Sequence, residues 1–457
     1  MLRLFRVYVS ARVAALLTGE LLLIYACYLA ATFAWLRADA PGFLVDDQGW
    51  LRILIVVFCL VLASYFLDLY SNLNFSRELL QKVVVVVASA FLTEAILSYL
   101  KLVRLVVPAG PMIAGSALTA GALVVSRFVF KFVLSKIPAE SVVFLGDSQV
   151  VQEIASHLAA HPEKGLTPLG FLDDSDSFTE KRLGAISDLR EVVDRLHPKR
   201  IVVGLRERRS NLPVGQLLEL RLSGIRIEDA LSTYEMAFER ISTHELRPSQ
   251  LIFSSSELGP SRNGVRLQTG YSMAIAAAAA VMTAPVMLLV AALVKLTSPG
   301  PALIRQERVG KNNRIFMLYK FRSMVRDAEA HSGAVWATRN DPRVTAVGRW
   351  LRKLRLDELP QLFNVLKGDM AIVGPRPERP EFVAELEKRI PYYRQRHCIK
   401  PGITGWAQIR HKYGDSMEDT IVKLEYDLYY IKNLAPALDA VIMFHTAKVM
   451  LLSRGAQ

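Results

Sequence analysis

The chain has 457 residues, 56 Lys and Arg against 43 Asp and Glu for a formal charge of +13, and a 52% share of hydrophobic residues. That composition excludes a disordered chain, and the three cysteines (Cys27, Cys59 and Cys398, none in a C-x-x-C pair) argue against a disulfide framework and a zinc site. The length suits about three folding units, and positive charge beside long apolar runs favours anionic lipid or phosphorylated substrates.

Residues 13–36 form the first apolar run, with Glu20 its one charge; 51–70, 83–100 and 111–134 form three more. Each has about 18 residues or more, enough to cross roughly 30 Å of hydrocarbon at about 1.5 Å per residue. The first run is too long for a cleaved signal segment. Arg3, Arg6 and Arg12 precede it, Arg77 and Lys82 lie between the second and third, and Arg127, Lys131 and Lys136 end the fourth. The loop 37–50 carries Asp39, Asp46 and Asp47 against Arg37. Basic residues stay on the cytoplasmic side, which predicts an inside N-terminus, four crossings and a cytoplasmic residue 136, with Lys101 and Arg104 against the trend. Glu20 and Glu94 read either as functional carboxylates or as polar contacts between helices.

Over 137–262 the pattern changes to alternating strands and helices: SVVFLGD (141–147), VVQEIASHL (150–158), GFLDD (170–174), RIVVGL (200–205) and IRIEDA (225–230). This predicts a small parallel α/β domain of Rossmann-like type. The first turn holds Gly146 and Asp147 where a dinucleotide site wants G-x-G-x-x-G, so the domain reads as degenerate for nucleotide binding. Asp174-Ser175-Asp176 matches a D-x-D metal motif and His157 with His161 a helical pair; both are short enough to arise by chance.

A fifth apolar run, 271–296, has Pro285 at its middle and basic residues, Arg266 and Lys295, toward both ends. Proline bends a helix. The segment 263–297 therefore reads as a re-entrant hairpin broken at Pro285, which keeps 298–457 cytoplasmic; a kinked spanning helix is the alternative.

The most informative stretch is 338–378. Leu359, Leu362, Phe363 and Leu366 mark an amphipathic helix, with Asp357 and Glu358 in its first turn, where the helix dipole favours ionised carboxylates. Arg352, Lys353 and Arg355 precede them, and Arg376 stands between Pro375 and Pro377. Paired carboxylates beside arginines suit phosphoryl transfer: carboxylates bind Mg²⁺ or attack phosphorus, and guanidinium groups grip phosphate oxygens. A bare Asp-Glu pair is otherwise an ordinary helix start.

The surrounding motifs favour the first reading. KFRSM (320–324), DPRVTAVGRWLRKLRLDELPQLFNVLKGDMAIVGPRPE (341–378), KPGITGWAQI (400–409) and YDLYYIKN (426–433) occur in the order seen in the polyprenyl-phosphate hexose-1-phosphate transferases. Over about residues 265–457 the chain resembles this family, the monotopic phosphoglycosyl transferases. Its whole layout resembles the family's large form: a four-helix transmembrane domain (1–136), a degenerate Rossmann-like domain (137–262), the re-entrant hairpin (263–297) and a mainly α catalytic domain with an amphipathic tail (298–457).

The resemblance implies an enzyme of a bacterial inner membrane that moves a hexose-1-phosphate from a UDP-sugar to undecaprenyl phosphate, releasing UMP, at the start of exopolysaccharide assembly. It implies Asp357 as the nucleophile that forms a covalent phospho-sugar, Glu358 as its assistant, and Mg²⁺ held near both. Arg352, Arg355 and Arg376 would bind phosphate, and Lys320, Arg322, Gln361, Asp369 and Arg410 fall in family motifs. The family's hairpin is commonly broken at Ser-Pro; Ala284-Pro285 stands here. The implied partners are the two substrates, membrane lipids and a second copy in a homodimer, without nucleic acid. A membrane-bound nucleotide-sugar dehydratase is the competing enzyme class, but it needs a Tyr-x-x-x-Lys pair, and none of the 15 tyrosines has Lys four residues on. A non-catalytic export scaffold is the third reading, opposed by the intact Asp-Glu-Leu-Pro-Gln and Gly-Pro-Arg-Pro.

Overall fold

The structure, a computed structural model, describes residues 2–4, 7–9, 11–70, 77–100, 105–136, 139–161, 164–174, 181–205, 212–243, 262–325, 341–411 and 416–451. The chain divides into two compact units, one essentially residues 9–139 and the other essentially 140–457.

The first unit is built on α1 (Ala11–Leu36), α2 (Gly49–Phe66), α3 (Arg77–Tyr99) and α4 (Ala109–Lys136). All four are long and apolar enough to cross a membrane, as is one helix of the second unit, which makes the chain a membrane protein. The two acidic residues inside the apolar runs, Glu20 and Glu94, have structural partners. Glu20 is paired with Arg127 (Nε–Oε1 2.8 Å), whose guanidinium also donates to the Leu69 carbonyl at 2.8 Å. Glu94 accepts the Val107 amide. An unpaired carboxylate in apolar surroundings is expensive; Glu20 makes a contact between helices, to Arg127 of α4, whereas Glu94 holds the segment that leads into α4.

In the second unit, β1 (Glu140–Leu145), β2 (Leu166–Leu172), β3 (Arg182–Gly184), β4 (Arg200–Val203) and β5 (Arg226–Asp229) form one parallel sheet in the order 3-2-1-4-5. Alternate residues of β1 point to opposite faces. Val142 and Phe144 pack with α5 (Gln149–Ala160) and α8 (Ala230–Phe238), while Val143 and Leu145 pack with α6 (Leu189–Leu196) and α7 (Val214–Leu222). Both faces are covered, as parallel sheets require. Gly146 follows β1 at φ +100°, where a Cβ would also lie 2.8 Å from the Gly204 carbonyl oxygen. Of the D-x-D match, Asp174 caps the Ile186 amide, and Ser175 and Asp176 lie outside the described residues.

The apolar helix α9 (Arg262–Thr297) runs through Pro285 without interruption. Proline removes one amide donor, which permits a bend; no break in the helix accompanies it here. Gln268, Ser272, Ala276, Met287, Val290 and Val294 of α9 are buried against the remainder of the unit. There a hairpin, β6 (Leu303–Val309) and β7 (Ile315–Phe321), is followed by α10 (Ala346–Lys353), α11 (Gln361–Lys367), β8 (Ala371–Val373), α12 (Pro380–Arg389), β9 (Gly402–Thr404), α13 (Met417–Lys432) and α14 (Pro436–Leu451). Leu424, Leu428 and Ile431 of the expected amphipathic tail lie in the core of this region, and Phe444 is exposed.

The α/β domain is joined firmly to this region. Ile241, just past α8, belongs to the same apolar core as Trp406 and Tyr429. Its amide donates to the Glu425 carbonyl (3.2 Å), Glu235 pairs with Lys432 (2.6 Å), and Arg240 pairs with Glu425 (3.4 Å).

Candidate active site

Local chain stiffness creates the site. Pro360 has no amide hydrogen, and its ring opposes helical continuation, so the helical ladder of α11 cannot extend back through the acidic pair. Asp357 and Glu358 sit instead in a separate 3₁₀ turn, Leu356–Glu358, entered through Arg355 in the left-handed region (φ +54°). This corrects the expectation that both occupy the first turn of an α-helix. The buried face of α11 also differs from the expected stripe: Leu362, Asn364 and Val365 are buried, whereas Phe363 and Leu366 are exposed.

Asn364 explains the difference. It is fully buried; its Oδ1 accepts the Tyr319 amide at 3.0 Å and its Nδ2 donates to the Met317 carbonyl at 2.7 Å. The side chain thereby acts as a further strand residue on β7 and fixes α11 beside Lys320. Both bonds are part-buried, and leaving their backbone groups unpaired costs at most about 1–3 kcal/mol each. Asn364→Ala is therefore expected to lower the thermal midpoint of the detergent-solubilised protein by several degrees; an unchanged midpoint would contradict this role.

The structure brings Lys320, Arg355 and Arg376 to one carboxylate. Glu358 Oε1 lies 3.2 Å from Arg376 Nη2 and 3.5 Å from Lys320 Nζ, and its Oε2 lies 3.9 Å from Arg355 Nη1. Arg376 stands between two prolines, and Gly374 packs so tightly on residues 400–402 that a Cβ there would lie 2.5 Å from the Lys400 carbonyl oxygen. Arg352 is oriented by a bond from its Nε to Ser323 Oγ (3.2 Å) and acts on Asp357 through its charge. Gln361 is buried in the first turn of α11.

The two carboxyls experience opposite environments. Burial alone would raise Glu358, but Lys320, Arg376 and Arg355 outweigh it and hold the group at about 2. Burial, and then the neighbouring Glu358 charge, push Asp357 above the usual aspartate range, with Lys320, Arg352 and Arg376 opposing. Among the described residues the Asp357 carboxyl has no hydrogen-bond partner. One group is a permanently ionised counter-charge; the other is a more basic carboxylate with free lone pairs. Environments that drive two titrating groups apart are how sites divide roles between them.

Three sequence-derived candidates lie elsewhere. Arg322 is buried, and its Nη2 donates to the carbonyls of Val294 (3.3 Å) and Ser298 (2.8 Å), closing the C-terminal end of α9. A cation is favoured at a helix C-terminus, which accounts for the placement. Arg410 pairs with Glu239 beyond α8 and lies over the Trp406 ring. Asp369 follows α11 and acts electrostatically on Lys400. Sequence reading missed Asn364 and Ser323, polar residues within apolar or basic stretches whose partners are distant in the chain.

The bacterial sugar transferase family matches residues 266–453. The chain is 47% identical over 218 residues to the UDP-N-acetylgalactosamine-undecaprenyl-phosphate N-acetylgalactosaminephosphotransferase of Aeromonas hydrophila, covering 48% of this chain and 50% of that protein. It is 47% identical over 178 residues to the undecaprenyl-phosphate glucose phosphotransferase of Komagataeibacter xylinus, covering 38% and 34%. It is 42% identical over 194 residues to the exopolysaccharide production protein PSS of Rhizobium leguminosarum bv. phaseoli, covering 41% of this chain and 96% of that protein. The chain thus spans half the length of the first relative and about a third of the second.

Proposed function

The chain belongs to the bacterial sugar transferase family, and on that premise we propose that it transfers a hexose-1-phosphate from a UDP-sugar to undecaprenyl phosphate, releasing UMP, as the first step of an exopolysaccharide. The names of the Aeromonas and Komagataeibacter relatives, one with a UDP-sugar and both with undecaprenyl phosphate, support the substrates, and the Rhizobium relative's name supports the pathway.

The observation that carries the reading is the split pair: a basic, unbonded Asp357 beside a Glu358 that three cations keep ionised. In the proposed reaction an Asp357 Oδ attacks the sugar-bearing phosphorus of the donor. The bond from that phosphorus to UMP breaks, and UMP leaves with the bonding pair. An oxygen of the lipid phosphate then attacks the same phosphorus and the bond to Asp357 breaks, restoring the carboxylate. Lys320, Arg352, Arg355 and Arg376 offset the phosphate charge, and Glu358 keeps them from neutralising Asp357 outright. Two successive displacements let a soluble donor and a lipid acceptor use one pocket in turn.

Mg²⁺ suits the hard oxygen donors of Asp357 and Glu358. Among the described residues there is no group of three carboxylates, histidines or cysteines that could hold a metal, so its other ligands would come from the donor diphosphate and water. Bound there, it would supply positive charge against the diphosphate.

We place the four N-terminal helices across the inner membrane and the transferase region on its cytoplasmic face. In this reading α9 dips into one leaflet and returns, turning by a bend at Pro285 within the continuous helix and not by a break. Support comes from both ends being tied to the same region, Gln268 to the Val373 carbonyl (3.1 Å) and the Val294 and Ser298 carbonyls to Arg322. The opposite face of α9, with Val281, Met282, Leu288, Leu289 and Leu296, is exposed and apolar. A panel of UDP-sugars incubated with the membrane-bound protein and polyprenyl phosphate tests the proposal: at least one should release UMP and yield a lipid diphospho-sugar. Release of UMP by none of them would overturn it.

A further inference from the structure

We propose that Arg396, clamped by Asp427 and Tyr393, is a positioning residue that fixes the backbone from which Arg376 reaches Glu358; its catalytic consequence rests on the transfer reaction proposed above. Arg396 is buried. Its Nε and Nη2 engage Asp427 Oδ2 at 3.0 and 2.7 Å, and its Nη1 donates to the Tyr393 hydroxyl at 2.6 Å. Its Nη2 also donates to the carbonyl of Arg376 at 3.1 Å.

The chemistry of the Gly-Pro-Arg-Pro strap makes that last bond matter. Pro375 and Pro377 have no amide hydrogens, so neither can anchor the strap by donating. The Gly374 amide donates to the Thr404 carbonyl (2.9 Å), and beyond it the strap is held by its carbonyls: Pro375 accepts the Gly402 amide (2.9 Å), Arg376 accepts Arg396, and Pro377 accepts Arg308 Nη1 (3.3 Å). Arg376 then spends its own guanidinium on Glu358, at 3.2 Å. A rotation of the Arg376 peptide would swing this group away from the dyad.

Stability alone does not account for the clamp. A buried ion pair is often replaced by apolar residues with no loss of stability, whereas a directed fork of donors fixes geometry. Asp427 lies on α13, where Glu425 is the residue that grips Arg240 and Ile241 from the α/β domain. The anchor of the clamp is thus itself held from a second direction.

The test is a double-mutant cycle on the full-length protein in membranes. Tyr393→Phe, which removes one hydroxyl, and Asp427→Asn should each lower turnover roughly tenfold or more in the parent. In an Arg376→Ala background the same changes should lower it by less than about twofold, because the group they position is gone. Losses that multiply in that background, or no loss in the parent, would overturn the proposal. A second readout does not depend on turnover: modification of Arg376 by phenylglyoxal, followed by mass spectrometry. Its rate should rise several-fold in both variants, and an unchanged rate would also overturn the proposal. If the parent releases no UMP from any UDP-sugar, the assigned reaction fails while the modification rate still judges the clamp. Should Asp427→Asn fail to accumulate, Tyr393→Phe decides.

Discussion

Asp357→Asn is expected to reduce sugar-phosphate transfer by at least about 10³-fold while leaving the protein no less stable. The two amino acids have nearly the same shape, so packing around the 3₁₀ turn is unchanged, but an amide cannot form the acyl-phosphate. The stability half follows from the direction of the titration shift. Burial and the adjacent Glu358 raise the Asp357 carboxyl in the folded state. A carboxyl raised on folding binds its proton more tightly when folded, so its ionised form opposes folding in full once the pH exceeds the raised value, and that opposition fades away as the pH falls to the ordinary aspartate value. A neutral side chain removes the opposition at neutral pH. Phospho-sugar adduct at position 357, detected by mass spectrometry after incubation with donor alone, should be present in the parent and absent in the variant. The thermal midpoint of the variant should equal or exceed that of the parent. Transfer at near-parental rate would end the case for a covalent aspartyl intermediate, and a large fall in midpoint would show that the loss of activity came from misfolding.

What the amino-acid sequence made legible, and what it did not, divides along physical lines. The apolar runs that became α1–α4 and α9 are uniform over whole helices, and the strands of the α/β domain repeat one short apolar pattern; periodicity reports such features directly. The acidic pair and its arginines were visible because proline, glycine and charge cluster within twenty residues. Position within the fold was not. Arg322, just past the end of β7, and Lys320, on it, are two residues apart, yet one closes the end of α9 and the other reaches Glu358. Alternation along a strand sends i and i+2 to one face, but which end of a neighbouring helix waits there is set by tertiary packing. Arg410 read as a site residue because it adjoins a family motif, and its pairing with Glu239 depends on a domain about 170 residues earlier in the chain. Asn364 was hidden for the opposite reason. A lone polar residue in an apolar stripe carries no signal of its own, and only the unpaired backbone groups of β7 give it a purpose.

Glu358→Gln separates the two carboxyls by pH. In the parent Glu358 is held at about 2 against an ordinary 4.5, and that difference corresponds to about 3 kcal/mol of stability. Because the folded-state value is depressed, this contribution is complete above 4.5 and is lost as the pH falls through about 2. Glutamine removes it and leaves Lys320, Arg376 and Arg355 close together without their common anion, so the variant should be less stable than the parent at neutral pH. Turnover should fall by about 10²-fold, since the cations no longer have a fixed centre to gather around. The residual activity carries the sharper information. Glu358 remains ionised throughout the working range, so the acid limb of kcat/KM in the parent belongs to Asp357, which must lose its proton to attack. Glu358 is the second cause of the raised Asp357 value, after burial. Removing that charge, and freeing three cations to act on Asp357 instead, must move the acid limb to lower pH. A limb that stays in place or moves upward would mean that a group other than Asp357 controls it, and the division of labour between the two carboxyls would have to be reassigned.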